Sequence, residues 1–320
     1  MSPSADPDHG NDASPAGFSA GGMLLKLLLL PGLVVLAIVV AVIWLGRPDG
    51  DVDSLIDRLA REGDDRWLAA LSLSAMLHEP GDTAIKRDPA VARRLSEILR
   101  KEIAAGGMDR DQLNLRMYLC RALGEFEITD PLPVLLEAAQ LQRDPQEVEV
   151  RCAAIEAVAV LASHVGTTGL RGDPQLLPVL VQAAEDPQRQ VRQRAAFALG
   201  VVGGDRAQAC LERMLADRCA EVRYNAATGL ARQGNPNCIG VLREMLAPQG
   251  VNVDRTTVQR NALLATGLLA AANRTADLGE LIEAVERLTR ANVAAEVGAK
   301  AVELLQELDR RRGTPDGSRS

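Results

Sequence analysis

A short segment that recurs five times constrains the fold of this chain most. Each copy places an arginine near the start of an Ala/Leu-rich stretch, as in VEVRCAAIEAVAVL around Arg151 and RQVRQRAAFALGVV around Arg192. The five arginines are separated by 35, 41, 31 and 37 residues, and they are Arg116, Arg151, Arg192, Arg223 and Arg260. A period of this length is typical of α-solenoids, in which each repeat is a pair of helices stacked on its neighbours.

Weaker copies of the segment extend the array at both ends. One copy surrounds Arg66 and another lies near Lys300, which brings the number of units to about seven. Within a copy, Val191, Ala195 and Leu199 recur at helical spacing and predict one apolar face. Aromatic residues make up 2% of the chain, which disfavours a β-sandwich or barrel core. We therefore predict an all-α fold from about residue 52 to residue 311.

An aspartate precedes the repeat arginine in most units. Asp144 and Asp186 are each followed by proline, a pair that suits the start of a helix after a tight turn. Stacking the units would bring successive aspartates and arginines together as a ladder of charge-assisted hydrogen bonds. The predicted ladder residues are Asp144, Arg151, Asp186, Arg192, Asp217, Arg223, Asp254 and Arg260.

The pattern D-P-x(4,5)-V-R-x-x-A-x-x-A-L-G resembles HEAT repeats, especially the phycobilisome-lyase-type HEAT-like repeats of bacteria. It is clearest from Asp186 to Gly200. The resemblance implies a right-handed α-solenoid of about seven two-helix repeats, with the aspartate in the turn and the arginine starting a second helix that lines the concave surface. The chain departs from the pattern in an insertion at residues 78–90, a lengthened loop at Ser163–Pro174, and Lys300 in place of arginine.

A long apolar run precedes the repeats. In residues 23–45 only Lys26, Pro31 and Gly32 are not hydrophobic. A helix of that length is about 34 Å long and covers the bilayer core, so we predict one transmembrane helix. A cleaved signal peptide is the alternative, but the tail is acidic, the apolar core is long and the residues after it form a poor cleavage site.

The flanking segments complete the predicted domain organisation. Residues 1–22 are predicted to be a disordered tail, residues 46–51 a linker, and residues 312–320 a disordered C-terminus. Arg47, Arg58 and Arg61 follow the apolar run, whereas the tail is acidic, so the positive-inside rule favours a single-pass cell-membrane protein with its repeats in the cytoplasm. Five cysteines without CxxC spacing fit a reducing compartment.

The residue patterns that usually carry chemistry are weak in this sequence. The three histidines lie far apart, so we expect no metal site. The Gly-rich stretch from Gly166 to Asp173 lacks the P-loop order and is interpreted as an inter-repeat loop. We expect no catalytic residue and no cofactor. A net charge of −7 and few aromatic residues disfavour nucleic acid as a partner.

Two functions remain after these exclusions, and a purely structural spacer is a minor third. The favoured one is a membrane-anchored, non-catalytic scaffold that binds a protein partner through the solenoid surface. The alternative, implied by the resemblance, is a bilin-lyase-like enzyme or chromophore chaperone. For the scaffold we predict partner contacts at Arg194, Phe197, Tyr224 and Asn225, because aromatic and arginine side chains dominate interface hot spots. The competing interpretation is that both rings fill gaps between adjacent helices.

Overall fold

The computed structural model describes residues 52–313, except residues 62, 64, 82, 250–253 and 292. The predicted tail, transmembrane helix and linker at residues 1–51, and residues 314–320, lie outside this described part. Its helices in chain order are α1 Val52–Ala60, α2 Arg66–His78, α3 Thr83–Lys86, α4 Pro89–Ala105, α5 Arg110–Gly124, α6 Leu132–Ala139, α7 Val148–Val165, α8 Thr167–Arg171, α9 Leu176–Ala183, α10 Arg189–Val202, α11 Asp205–Met214, α12 Ala220–Arg232, α13 Ile239–Leu246, α14 Arg255–Ala272, α15 Gly279–Arg290 and α16 Ala295–Gly313.

The helices pair into seven successive hairpins over the described residues. The first helices of the pairs form the A layer, which contains α1, α4, α6, α9, α11, α13 and α15. The second helices form the B layer, which contains α2, α5, α7, α10, α12, α14 and α16, and each of them packs against the next. No strand occurs in this part of the chain, so the predicted all-α, repeat-built fold is confirmed.

Small residues let neighbouring B-layer helices approach closely. A Cβ atom added at Gly200 in α10 would lie 2.7 Å from the Cα of Gly229 in α12, closer than real Cβ atoms come. Gly124 in α5 has the same relation to Ala157 in α7, at 2.8 Å. Ala195 and Ala226 of the same helices are fully buried. The Ala/Gly content of the repeats therefore sets how tightly the B layer stacks.

Aspartates lie at the start of several helices, as the sequence predicts, and they do so in two different structural roles. Asp88 and Asp109 are N-caps, because their side chains accept hydrogen bonds from the first turns of α4 and α5 at 2.7 and 2.9 Å. Asp186 and Asp217 lie two residues before the N-cap instead. Each accepts the N–H of that N-cap residue at 2.8 Å and so shapes the turn rather than capping the helix.

The segment from Gly166 to Asp173 differs from the predicted plain loop, because it contains the short helix α8. Arg171 at the end of α8 donates two hydrogen bonds to the carbonyl oxygen of Val202, at 2.9 Å from Nε and 2.6 Å from Nη2. That carbonyl ends α10, so the connection between repeats 3 and 4 is fastened to the following B-layer helix.

The membrane prediction concerns residues 23–45, which are outside the described range. Within that range, none of the helices is both long and apolar enough to traverse a bilayer.

Candidate functional site

An arginine–carboxylate ladder connects successive repeats at the A–B turns. Each arginine lies in the first two turns of a B-layer helix and pairs with a carboxylate of the next repeat. Its guanidinium also donates to a backbone carbonyl near the end of its own A helix or in the following turn. The five rungs are Arg66–Glu102, Arg116–Glu147, Arg151–Asp186, Arg192–Asp217 and Arg223–Glu244.

The rung at Arg116 is the most deeply buried, with both side chains at 0% exposure. Arg116 Nη1 donates to Glu147 at 3.2 Å, and Nη2 donates to the carbonyl of Gly107. Glu147 also accepts hydrogen bonds from Arg143, at 2.5 Å from Nη2 and 2.9 Å from its backbone N–H. Burial alone would raise the pKa of Glu147, but these donors outweigh it and lower that pKa.

The middle rungs contain four of the predicted residues. Arg151 approaches Asp186 at 3.1 Å, and Arg192 donates to both carboxylate oxygens of Asp217, at 2.7 and 3.1 Å. The hydrogen bond from Arg192 holds the pKa of Asp217 below its ordinary value. The structure thus places Asp186 and Asp217 against the arginines of the preceding repeats.

Two predicted ladder aspartates have other contacts. Asp144 is the N-cap of the 3-10 turn Pro145–Glu147, and its neighbour Glu147, three residues on, is the carboxylate that meets Arg116. Asp254 is the N-cap of α14 and is exposed, whereas Arg223 pairs with Glu244 in α13. The prediction that Asp144 and Asp254 pair with ladder arginines is therefore corrected. The side chain of a capping aspartate accepts hydrogen bonds from backbone N–H groups instead.

Arg260 is also displaced from its predicted place. The position equivalent to Arg223 is held by Gln259, which is buried and donates to the carbonyl of Leu246 at 3.1 Å. Arg260 follows it and is exposed. The two repeats align correctly on the valine that precedes this position, Val222 in one and Val258 in the next. Burial follows the apolar period of the helix and not the position of one charged residue.

The side of the B layer that faces away from the A layer carries exposed apolar side chains. We call it the outer B face. Among the described residues, all four exposed large hydrophobic side chains belong to B-layer helices, and they are Leu68, Phe197, Leu264 and Val302. Phe197 is 37% exposed and Leu264 is 55% exposed. Both lie five residues after the ladder position of their helix, so they share a helical register.

The four predicted partner-binding residues differ in their surroundings. Phe197 is exposed, and Arg194 beside it is half-exposed and approaches Glu156 of α7 at 3.5 Å. Asn225 is half-buried and donates to the carbonyl of Gln193 at 3.0 Å.

Tyr224 is only 8% exposed, and its hydroxyl donates to Glu244 at 3.1 Å. Burial, and then the negative charge of Glu244, raise the pKa of this phenol to about 12. Tyr224 directly follows the ladder arginine, about 100° around the helix. That step turns its ring toward the next repeat, where its hydroxyl meets the carboxylate of the Arg223–Glu244 rung. The gap-filling interpretation describes Tyr224, while Phe197 projects from the surface.

The cysteines are all free thiols in the structure, and Cys120, Cys210 and Cys238 are buried. Burial raises the pKa of Cys120 to about 12, which leaves its thiol protonated and unreactive near neutral pH. In the described part of the chain, no group of three or more His, Cys, Asp or Glu side chains is placed to hold a metal ion.

Part of this chain matches a known family of helical repeats. Residues 159–221 match the family model described as HEAT repeats, and they span the second helix of repeat 3 to the start of that of repeat 5. Among curated proteins, Protein YibA of Escherichia coli (strain K12) is 28% identical over 124 residues, which are 38% of this chain and 41% of that protein. The chain thus matches about two fifths of the length of that relative.

A solved structure shares the fold at low sequence identity. The complex of CpcE and CpcF of phycocyanin lyase from Nostoc sp. PCC7120 is similar with a TM-score of 0.50 and 21% identity, over 82% of this chain and 96% of that chain. The archaeal HEAT-like repeats protein from Thermococcus onnurineus NA1 has a TM-score of 0.47 and 14% identity, over 82% and 98%. At such identities the likeness concerns the fold alone.

Proposed function

We propose that this chain is a non-catalytic scaffold whose outer B face binds a protein partner. One observation carries the proposal. The four large hydrophobic side chains that the described residues expose all lie on B-layer helices, on the outer B face. Apolar surface kept exposed on one side of a repeat array is typical of an interaction surface.

A photo-crosslinking residue placed in the full chain tests this proposal. It is introduced at Phe197 or Leu264 on the outer B face, and in a matched control at Gln182, an exposed residue of α9 in the A layer. We expect crosslinks to a discrete protein from the two B-layer positions and few from Gln182. Equal crosslinking from both layers would contradict the scaffold proposal.

The proposal also places the scaffold at a membrane through residues 23–45, with the repeats in the cytoplasm. It rests on the apolar run and on the arginines that follow it. We expect the full chain to stay with membranes after carbonate washing, and a chain lacking residues 23–45 to be released. Protease added to spheroplasts should leave the repeats intact, and their digestion from outside would reverse the orientation.

A bilin-lyase-like or chromophore-chaperone function is the competing candidate. The printed description of the CpcE and CpcF complex concerns phycocyanin lyase, but its 21% identity to this chain extends to the fold alone. Stoichiometric binding of a bilin by the purified full chain, seen as a shift in visible absorbance, would favour this candidate over the scaffold.

A further inference from the structure

Three neighbouring B-layer helices have a charge opposite to that of the whole chain. Helices α10, α12 and α14 contain seven arginines and one acidic residue, whereas the chain has 36 Lys and Arg against 43 Asp and Glu. The arginines are Arg189, Arg192, Arg194, Arg223, Arg232, Arg255 and Arg260, and the acidic residue is Glu221. A concentration of one sign on a surface of opposite overall charge favours a partner of complementary charge.

Only part of this positive charge is neutralised within the protein. Arg192 and Arg223 are ladder residues paired with carboxylates, and Arg194 approaches Glu156. The other four arginines of these helices are exposed, and within the described residues none of them has a carboxylate within salt-bridge distance. They are Arg189, Arg232, Arg255 and Arg260. Arg218, in the turn before α12, is exposed as well.

Few acidic groups oppose these cations. Glu221 is exposed at the start of α12 and accepts a hydrogen bond from the thiol of Cys219 at 2.8 Å. Asp254 is occupied as the N-cap of α14, where it accepts the N–H of Thr257 at 3.2 Å. The positive charges therefore remain in excess on the surface of repeats 4 to 6.

Exposed apolar side chains lie among the same helices. Phe197 in α10 and Leu264 in α14 occupy the same register, with Thr228 at that position in the intervening α12. Half-buried Val201 and Leu268 follow them by one turn. Neighbouring helices are about 10 Å apart, so the two apolar positions are about 20 Å apart, the length of about six extended residues.

We infer that the outer B face of repeats 4 to 6 binds an acidic protein segment that carries two large apolar side chains about six residues apart. The inference rests on the proposed scaffold function and specifies the charge and the apolar side chains of the scaffold's partner. The apolar side chains of the segment contact Phe197 and Leu264, while its carboxylates meet the arginines around them. Nucleic acid fits this face less well, because among the described residues the face offers one exposed aromatic ring, Phe197, on which a base could stack.

A displayed peptide library tests the inference with the full chain in neutral detergent. Random 16-residue peptides are selected on the native chain, and the enriched peptides are titrated against variants. Arg232→Glu/Arg260→Glu changes the outer B face, since Arg232 lies one turn after Thr228 and Arg260 one turn before Leu264. Arg206→Glu/Arg213→Glu is the matched control, since both residues are exposed on the A-layer helix α11 and the change in charge is equal.

We expect the enriched peptides to be acidic and to contain paired large apolar residues. Arg232→Glu/Arg260→Glu should weaken their binding at least about tenfold, in line with the loss of charge-assisted contacts, and the control less than about twofold. Binding should also weaken as NaCl is raised. Thermal unfolding of each variant, compared with the native chain, verifies that both pairs of substitutions leave the fold intact.

The outcomes separate the inference from the proposed function. Peptides without acidic bias that lose binding with Phe197→Ser or Leu264→Ser would overturn the inferred chemistry and leave the scaffold proposal standing. Failure to enrich any peptide, or enriched peptides unaffected by those substitutions, would contradict both. Tighter binding of poly(U) RNA or phosphatidylserine vesicles than of any peptide, lost in Arg232→Glu/Arg260→Glu, would assign the charge to a different class of partner.

Discussion

The rungs at Arg116 and Arg223 use the same two residue types in opposite surroundings. Arg116 and Glu147 are both 0% exposed, while Arg223 and Glu244 are 23% and 34% exposed. Glu147 ends the turn just before a B-layer helix, whereas Glu244 lies in the A-layer helix α13. Moving the carboxylate out of the turn brings the pair toward solvent.

In α14 the position equivalent to Arg223 is occupied by Gln259. This amide keeps the hydrogen bond to its own A helix, at 3.1 Å to Leu246, but carries no charge to offer the next repeat. The ladder position therefore changes from a buried ion pair at Arg116, through a partly solvated one at Arg223, to a neutral amide at Gln259 that bonds within its own repeat. One sequence position thus contributes differently to stability in successive repeats.

The largest expected effect is at the buried rung. Arg116→Ala leaves Glu147 buried with Arg143 as its remaining cation, so we expect a loss of about 3 kcal/mol in the free energy of unfolding. Denaturant unfolding followed by circular dichroism measures it. Arg110→Ala on the same helix is the control and should cost less than about 0.5 kcal/mol, because its ion pair with Glu149 is exposed.

The partly exposed rungs should show smaller losses in the order of their burial. We expect Arg192→Ala to lower the free energy of unfolding by about 1–3 kcal/mol, since it removes a two-pronged contact with Asp217. Arg223→Ala should cost about 1 kcal/mol because its pair is more solvated. Arg232→Ala, exposed on the same helix as Arg223, is the control. Equal losses for Arg116, Arg192 and Arg223 would break the comparison.

The pH dependence of stability sharpens the comparison at the intermediate rung. Arg192 lowers the pKa of Asp217 in the folded state. The ionised carboxylate therefore stabilises the fold at pH values above the pKa of an aspartate in the unfolded chain, about 3.9. That contribution is lost as the pH falls through the folded-state pKa. We therefore expect the stability difference between the native chain and Asp217→Asn to be widest near neutral pH and to shrink below about pH 4. A pH-independent difference would argue against an ionised Asp217.

The smallest effects are expected where the ladder becomes neutral. Gln259→Ala should cost about 1 kcal/mol, because it removes a buried hydrogen bond to Leu246. Arg260→Ala should change stability by less than about 0.5 kcal/mol, as exposed substitutions do. Thermal unfolding of both variants in parallel measures the contrast. A larger loss at Arg260 would restore the register that the arginine pattern predicts.

The repeats could be predicted from the sequence with few errors. The recurring arginine and the Ala/Leu period indicated about seven helix pairs, and the structure has seven over the described residues. The sequence also indicated the two segments that depart from the repeat pattern. The structure adds that the insertion at residues 78–90 contains the short helix α3 and that the stretch after Ser163 contains α8. Such short helices escape prediction because four or five residues carry too little periodicity.

The candidate site was predicted less completely. Phe197 and Arg194 were identified, but Leu264 was not, because a single leucine among many has no distinguishing pattern until its register is fixed. Glu102, Glu147 and Glu244 were missed as ladder residues for a similar reason. A carboxylate meets an arginine of the preceding repeat only through stacking, and the sequence separations of these pairs range from 21 to 36 residues.

The helical period, the number of repeats and the arginine near the start of each middle B-layer helix can be derived from the sequence alone. These features depend on local helix propensity and on the spacing of apolar residues. The tertiary structure alone decided which acid meets each arginine, that Tyr224 is covered and Phe197 is not, and that Gln259 rather than Arg260 faces the turn. Those outcomes depend on how one hairpin rotates against the next. A rotation of one residue, about 100°, exchanges a buried side chain for an exposed one.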